Sequence, residues 1–127
     1  MTELEEHVAN FMARFNASDL EGALADFSDE GRYIDEFGNV HAGKIEIRAA
    51  MTPIFDGSFG DLAYTVEETI VDPASEKALV TWTLRITGAD NSVSMMRGLD
   101  ILVFDGARVL LKDCYIKAKE VLVEPIS

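Results

Sequence analysis

Lys77-Ala78-Leu79-Val80-Thr81-Trp82-Thr83-Leu84-Arg85-Ile86-Thr87 is the stretch on which the fold turns. Val80, Trp82, Leu84 and Ile86 take every second position, and Leu79, Thr81, Thr83, Arg85 and Thr87 take the others. Successive side chains of a strand point to opposite faces, so this is a strand whose first set meets a core. Burying one large side chain there contributes roughly 1.5–3 kcal/mol. A slip of one residue would expose the whole set, so the register is strongly specified. The same period of two runs through 62–71, 93–104 and 108–118. The runs are separated by Asp72-Pro73, Gly88-Ala89-Asp90-Asn91 and Asp105-Gly106, which are turn signals. Glycine in the last of these adopts positive φ without steric cost. Four consecutive strands with hairpin links predict an antiparallel meander.

Upstream of these strands the period is that of a helix. Leu4, Val8, Phe11, Met12 and Phe15 fall on one face of a helix over 3–16. Thr2 and Glu5 have the spacing of a capping box. Ser18 and Glu21 repeat that spacing and predict a shorter helix through Leu20, Ala23, Leu24 and Phe27, ended by Ser28-Asp29-Glu30-Gly31. Arg32-Tyr33-Ile34-Asp35 is a short strand, and a turn-rich link leads to a third helix from Lys44. Pro53 is expected to end or kink that helix, because proline lacks the amide donor. Helices first and strands afterwards place the chain in the α+β class, with helices against one face of the sheet.

The chain has 127 residues and fits a single domain over 1–127. Its net charge of -12 repels phosphate backbones and anionic lipid, so neither nucleic acid nor membrane is expected as a partner. No apolar run approaches the length of a membrane span. The single cysteine, Cys114, makes no intrachain disulfide. The acidic start, Met1-Thr2-Glu3-Leu4-Glu5-Glu6, is unlike a signal peptide, and a cytoplasmic location is the expectation.

Two strands can be faced either way by pattern. In 93–104, Met96, Gly98, Asp100, Leu102 and Phe104 alternate with Met95, Arg97, Leu99, Ile101 and Val103, and both sets are mostly apolar. A bulge would flip the assignment part-way. In 108–118, Leu110, Lys112, Cys114 and Ile116 alternate with Val109, Leu111, Asp113, Tyr115 and Lys117. Apolar residues on both faces of these strands point to a homodimer through the sheet.

Several segments, in order, resemble one known family. Asn16-Ala17-Ser18-Asp19-Leu20-Glu21-Gly22-Ala23-Leu24 is similar to the junction of the first two helices in SnoaL-like and ketosteroid-isomerase-like proteins of the nuclear transport factor 2-like superfamily. Tyr33-Ile34-Asp35, Gly43 and Ile45-Glu46-Ile47-Arg48 resemble that family's short strand, glycine turn and third helix. Gly98-Leu99-Asp100-Ile101-Leu102-Val103-Phe104-Asp105-Gly106 resembles its penultimate strand and final hairpin. The resemblance spans about residues 4 to 118. It implies a cone-shaped α+β barrel of cystatin-like type, three helices packed on a strongly bent antiparallel sheet around a pocket. Such a fold hosts many functions.

By that resemblance, the base carboxylate of the isomerases falls on Asp35 and their protonated carboxylic acid on Asp100, both facing inward. The isomerase pKa tuning is an established case. Two positions depart from it. The tyrosine of the first helix is replaced by Phe11, which has no donor, and Lys112 stands where the isomerases have an apolar residue. A lysine beside Asp100 favours the ionised carboxylate. A true steroid isomerase is therefore not expected.

The wall of the expected pocket is Phe11, Phe15, Phe27, Tyr33, Phe37, Met51, Phe55, Trp82, Leu84, Met96, Lys112, Cys114 and Ile116. An aspartate in an apolar cleft gains basicity, which suits Asp35 to proton abstraction beside a carbonyl; Asp35-Glu36-Phe37-Gly38 also reads as a turn in which Asp35 caps local amides. Asp100 either holds a substrate oxygen or forms an ion pair with Lys112 or Arg97. Tyr33 and Tyr115 are candidates for the missing hydroxyl. His41 is expected to be exposed and His7 to be exposed or at a helix contact, and two distant histidines give no metal signature. The leading expectation is a cofactor-free proton-transfer enzyme (isomerase, cyclase or dehydratase type) on a small apolar carbonyl compound. The alternatives are a binding module with the same pocket, a dimerisation domain, or an epoxide hydrolase. The last needs Arg97 to face inward beside Asp100 and Asp113, against the alternation.

Overall fold

The computed structural model describes residues 2–119. In chain order the elements are α1 (Glu3–Asn16), α2 (Leu20–Asp26), β1 (Phe27–Ile34), β2 (Val40–Ala42), α3 (Gly43–Phe55), β3 (Asp61–Asp72), β4 (Lys77–Thr87), β5 (Val93–Asp105) and β6 (Arg108–Ile116). α1 opens on the expected capping box: Thr2 accepts from the Glu5 amide, and Glu5 accepts from the Thr2 amide. The helix buries Leu4, Val8, Phe11, Met12 and Phe15.

The start of α2 differs from the sequence reading. Asp19, not Ser18, is the cap, and its carboxylate accepts from the Gly22 amide at 2.9 Å. Ser18 has left-handed backbone, φ 54°, and makes the corner between the helices. Phe27 and the Ser28–Gly31 segment, expected as helix end and turn, belong to β1. Its pairing with β6 shifts between Phe27 and Arg32, so an irregular strand absorbs the polar run. Pro53 lies within the last turn of α3, which ends at Phe55.

The six strands form one sheet in the order β2-β1-β6-β5-β4-β3. The meander from β3 to β6 is antiparallel, as expected. β1 pairs with β6 in parallel, so the sheet is mixed rather than wholly antiparallel. Parallel neighbours need a long crossover, here supplied by everything between β1 and β6. The helices lie on one side, α1 against β3 and α3 against β1.

The faces left open by pattern are resolved by one bulge. Met96, Gly98, Asp100, Leu102 and Phe104 point inward along β5, with Asp100, Leu102 and Phe104 buried. On β6, Phe104 pairs with Val109 and Val103 with Leu111, which leaves Leu110 as the extra residue. The inward set on β6 is therefore Val109, Lys112, Cys114 and Ile116, which crosses between the two alternation sets. Gly98 faces Trp82 across the ladder. A Cβ on Gly98 would lie 2.5 Å from Trp82 Cη2 and 2.5 Å from the Tyr115 carbonyl oxygen, so only glycine lets the indole lie flat against β5.

Candidate functional site

The inward faces of β4, β5 and β6 meet the end of α1 and the β1–β2 turn around a cavity of about 300 Å³. That lies at the small end of the range for ligand pockets. Phe15, Tyr33, Tyr64, Trp82 and Phe59 form its aromatic wall, and Leu84, Ile86, Met96, Cys114 and Ile116 its aliphatic one. A second concavity of about 330 Å³ between α1 and β3 has Glu5 as its charged lining residue and no buried charge.

The polar end of the first cavity is built from three strands. Lys112 faces Leu102 across the ladder, and Asp100 faces Cys114. The two therefore sit diagonally, within reach of a long side chain. Lys112 Nζ donates to Asp100 Oδ1 at 3.0 Å, and Trp82 Nε1 donates to Asp100 Oδ2 at 3.1 Å. The Lys112 and Asp100 side chains are 8% and 1% exposed. Nζ also lies 5.3 Å from the Phe15 ring centre and 5.0 Å from that of Tyr33, where the ring faces attract a cation. Burial alone pulls the Lys112 ammonium down, but the neighbouring Asp100 carboxylate outweighs it and holds the pKa above that of an ordinary lysine. Lysine carries three N–H donors. Asp100 takes one, and no other hydrogen bond joins Nζ to a described residue.

Two hydroxyls accompany this ammonium. Neither Tyr33 nor Tyr64 donates to a described partner, yet no buried side-chain oxygen or nitrogen among the described residues lacks one. Both hydroxyls therefore touch open space, and both residues line the cavity. Burial pushes the Tyr64 hydroxyl up to about 12, and the Tyr33 hydroxyl is raised by the same cause. Burial likewise pushes the Cys114 thiol up to about 12. At neutral pH all three keep their protons.

Asp35 sits differently from an aspartate in an apolar cleft. Its Oδ1 accepts from the Phe37 and Asn39 amides, both at 3.0 Å, and Oδ2 lies 2.9 Å from His41 Nε2. Burial raises its pKa, but the bonds from His41 and the two amides outweigh this and hold it below the usual carboxylate range. It is the capped-turn arrangement that the local sequence also allowed. Tyr33 and Asp35 share an alternation face, but β1 ends at Ile34 and the chain turns there. His41 is half-buried rather than exposed, and it stacks on Tyr33 with ring centres 5.6 Å apart. Glu36, the next residue along the turn, lines the cavity.

Of the residues expected to form the wall, Phe15, Tyr33, Trp82, Leu84, Met96, Lys112, Cys114 and Ile116 do so. Phe11, Phe27 and Met51 are core residues at most 1% exposed. Phe11 packs edge-on against both Phe15 and Phe27. Phe55 packs on Phe15 at 5.1 Å, behind the wall. Phe37 is 80% exposed on the β1–β2 turn, where only its amide is used. Tyr115 is half-exposed and bonded to Asp113. Arg97 points outward and pairs with Glu67 at 2.9 Å, so Asp100, Asp113 and Arg97 do not meet in the cavity. Six lining residues lie outside the expected wall: Glu36, Ile54, Phe59, Leu62, Tyr64 and Ile86. Alternation is the available signal for Leu62 and Tyr64 on β3 and for Ile86 on β4; Phe59 lies in a loop between Gly57 and Gly60, both at positive φ, and has none.

No curated protein matches the chain. Solved structures match it in fold. The epoxide hydrolase/cyclase-like enzyme SalBIII, of pyran ring formation in the polyether salinomycin, has a TM-score of 0.79 at 12% identity over 90% of each chain. TerC, co-crystallised with polyporic acid, has a TM-score of 0.77 at 14% identity, over 91% of this chain and 92% of that one. A nuclear transport factor 2-like protein of unknown function from Burkholderia pseudomallei has a TM-score of 0.76 at 18% identity over 92% of each. At such identities the likeness is one of fold. The model of the SnoaL-like domain matches residues 8–111, most of both the helical and the sheet layers, and the chain belongs to the SnoaL-like domain family.

Proposed function

We propose that the cavity binds a small apolar carbonyl compound and moves a proton on it without metal or cofactor, in an isomerisation, cyclisation or dehydration. The observation that carries this reading is Lys112, a buried cation on an apolar wall with N–H donors left over after Asp100 is served. Such donors stabilise the negative charge that develops on a carbonyl oxygen as the adjacent carbon loses its proton. The Tyr33 and Tyr64 hydroxyls stand in for the hydroxyl that Phe11 lacks. Asp100 orients Lys112 and does not itself face the substrate.

For the proton acceptor the geometry favours Glu36, which lines the cavity. Asp35, the base expected by family resemblance, then shapes the turn that carries Glu36. The test is exchange of α-hydrogens of 2-acetylnaphthalene in D2O, followed by NMR. Exchange lost in Glu36→Gln and kept in Asp35→Asn supports this assignment; the reverse pattern gives the base role to Asp35. Binding without exchange above buffer sinks the catalytic reading and leaves a binding module. That second reading has its own support in Asp35, whose carboxylate is occupied by three partners.

We also propose that the outer sheet face pairs two copies of the chain. Leu99, Ile101 and Val103 on β5 and Leu111 on β6 point away from the helices and are only half-buried, and Met95 and Tyr115 beside them are exposed. Light scattering after gel filtration tests this, and a monomer mass at micromolar concentration refutes it.

A further inference from the structure

We propose that the Lys112–Asp100 pair makes the cavity select charge-neutral aromatic ketones over carboxylates and amines of the same shape. This deepens, and rests on, the small-molecule reading given above. Only two charged side chains line the cavity among the described residues, Lys112 and Glu36. Glu36 is exposed and Lys112 is buried, so Lys112 is the one buried charge on the cavity wall. That charge is already balanced, since Asp100 lies 3.0 Å behind it and is itself 1% exposed. Each Asp100 oxygen already receives a donor, from Lys112 and from Trp82.

Each class of ligand meets this end differently. A carboxylate would bring a second anion to one desolvated cation, leave a net buried charge, and feel Asp100 just beyond Nζ. The cost of an unbalanced buried charge is large. An amine would set a cation against Lys112. A plain hydrocarbon would leave the Lys112 donors and the two tyrosine hydroxyls without acceptors and forfeit their bonds. A carbonyl oxygen accepts from Nζ and from a hydroxyl while adding no charge. The aromatic wall of Phe15, Tyr64 and Trp82 and the limited volume favour a flat ring system behind that oxygen.

Calorimetric titration of the full chain with 2-acetylnaphthalene, 2-naphthoate, 2-(aminomethyl)naphthalene and 2-ethylnaphthalene tests this. The ketone should bind roughly tenfold or more tightly than each of the other three. Asp100→Asn unbalances the cation, and the affinity for 2-naphthoate relative to that for the ketone should then rise roughly tenfold. Wild-type protein that binds naphthoate as tightly as the ketone overturns the proposal and leaves the small-molecule reading standing. So does a folded Asp100→Asn variant with unchanged preference. If no probe binds, both fall together. Where Asp100→Asn fails to fold, the wild-type ratio of ketone to naphthoate decides alone.

Discussion

Lys112→Met separates the charge of the buried pair from its packing. Methionine keeps an unbranched side chain against Phe15 and Tyr33, so the apolar contacts largely survive. What disappears is the ammonium 3.0 Å from Asp100 Oδ1. Two unit charges at that distance attract by about 5–6 kcal/mol at an effective dielectric of about 20. Removing one partner of a buried pair typically costs about 3–5 kcal/mol, because the other is left behind without compensation. Asp100 is 1% exposed and keeps only the Trp82 bond, so the full range applies. For a chain of this length that loss lowers the melting midpoint by about 10–20 °C. The assay is urea unfolding at pH 7, followed by fluorescence of Trp82, the single tryptophan, which touches the pair directly. The double variant Lys112→Met/Asp100→Asn removes both charges and leaves an amide oxygen to accept from Trp82 Nε1. It should recover more than half of the loss, about 1.5–2.5 kcal/mol, and the Asp100→Asn single variant completes the cycle that gives the coupling energy. A single variant that loses less than about 1 kcal/mol, or a double variant less stable than the single, would refute the claim that the pair is a mutually dependent buried unit.

Three further outcomes are expected. Stability should fall at alkaline pH: the folded pKa values of Cys114 and Tyr64 are raised to about 12 and those of Tyr33 and Lys112 are raised as well. Their contribution is fully present below the unfolded values and lost as pH rises through the folded ones, with Cys114 adding up to about 1.4 kcal/mol per pH unit above about pH 9; Cys114→Ala should flatten that early slope in urea titrations. Gly98→Ala drives a methyl into Trp82 and the Tyr115 carbonyl and should cost about 1–3 kcal/mol with a changed Trp82 emission; a neutral result would mean that β5 moves aside freely. Asp35→Asn should lower stability at pH 7 by about 1–2 kcal/mol through the lost His41 contact and weakened amide bonds. Because the folded Asp35 pKa is depressed, that contribution is present above about pH 4 and lost as pH falls through the folded value, so wild type and variant should converge in acid; a gap that persists at low pH refutes the account.

Most of the fold was legible because its signals are periodic and local. The alternation of Val80, Trp82, Leu84 and Ile86 located β4 and its core face, and the Thr2–Glu5 box located the start of α1. The failures cluster where geometry depends on a partner distant in sequence. β1 begins at Phe27 because β6 lies alongside it, and nothing within Ser28–Gly31 reports a parallel neighbour more than seventy residues on. The Leu110 bulge decides which of two equally apolar sets faces inward; it arises in the pairing of β5 with β6, which neither strand encodes alone. Ser18 fits the capping spacing to Glu21 and Asp19 is the cap in the structure; the left-handed backbone of Ser18 separates them.

The site was legible in a different way. Types of residue were readable; the directions of their polar atoms were not. Both Asp35 and Asp100 stand out in the sequence, yet both oxygens of each carboxylate are engaged by neighbours: Asp35 by the turn amides and His41, Asp100 by Lys112 and Trp82. Such bonds fix the orientation of each carboxylate and stabilise its ionised form. The group with unspent capacity is Lys112, first noticed as an intrusion on the isomerase pattern. On the proposed reading, the lysine at 112, where the family resemblance implies an apolar residue, changes which atom would face a ligand. A site that would display a carboxylic acid would then display an ammonium, with the acid holding that ammonium in place.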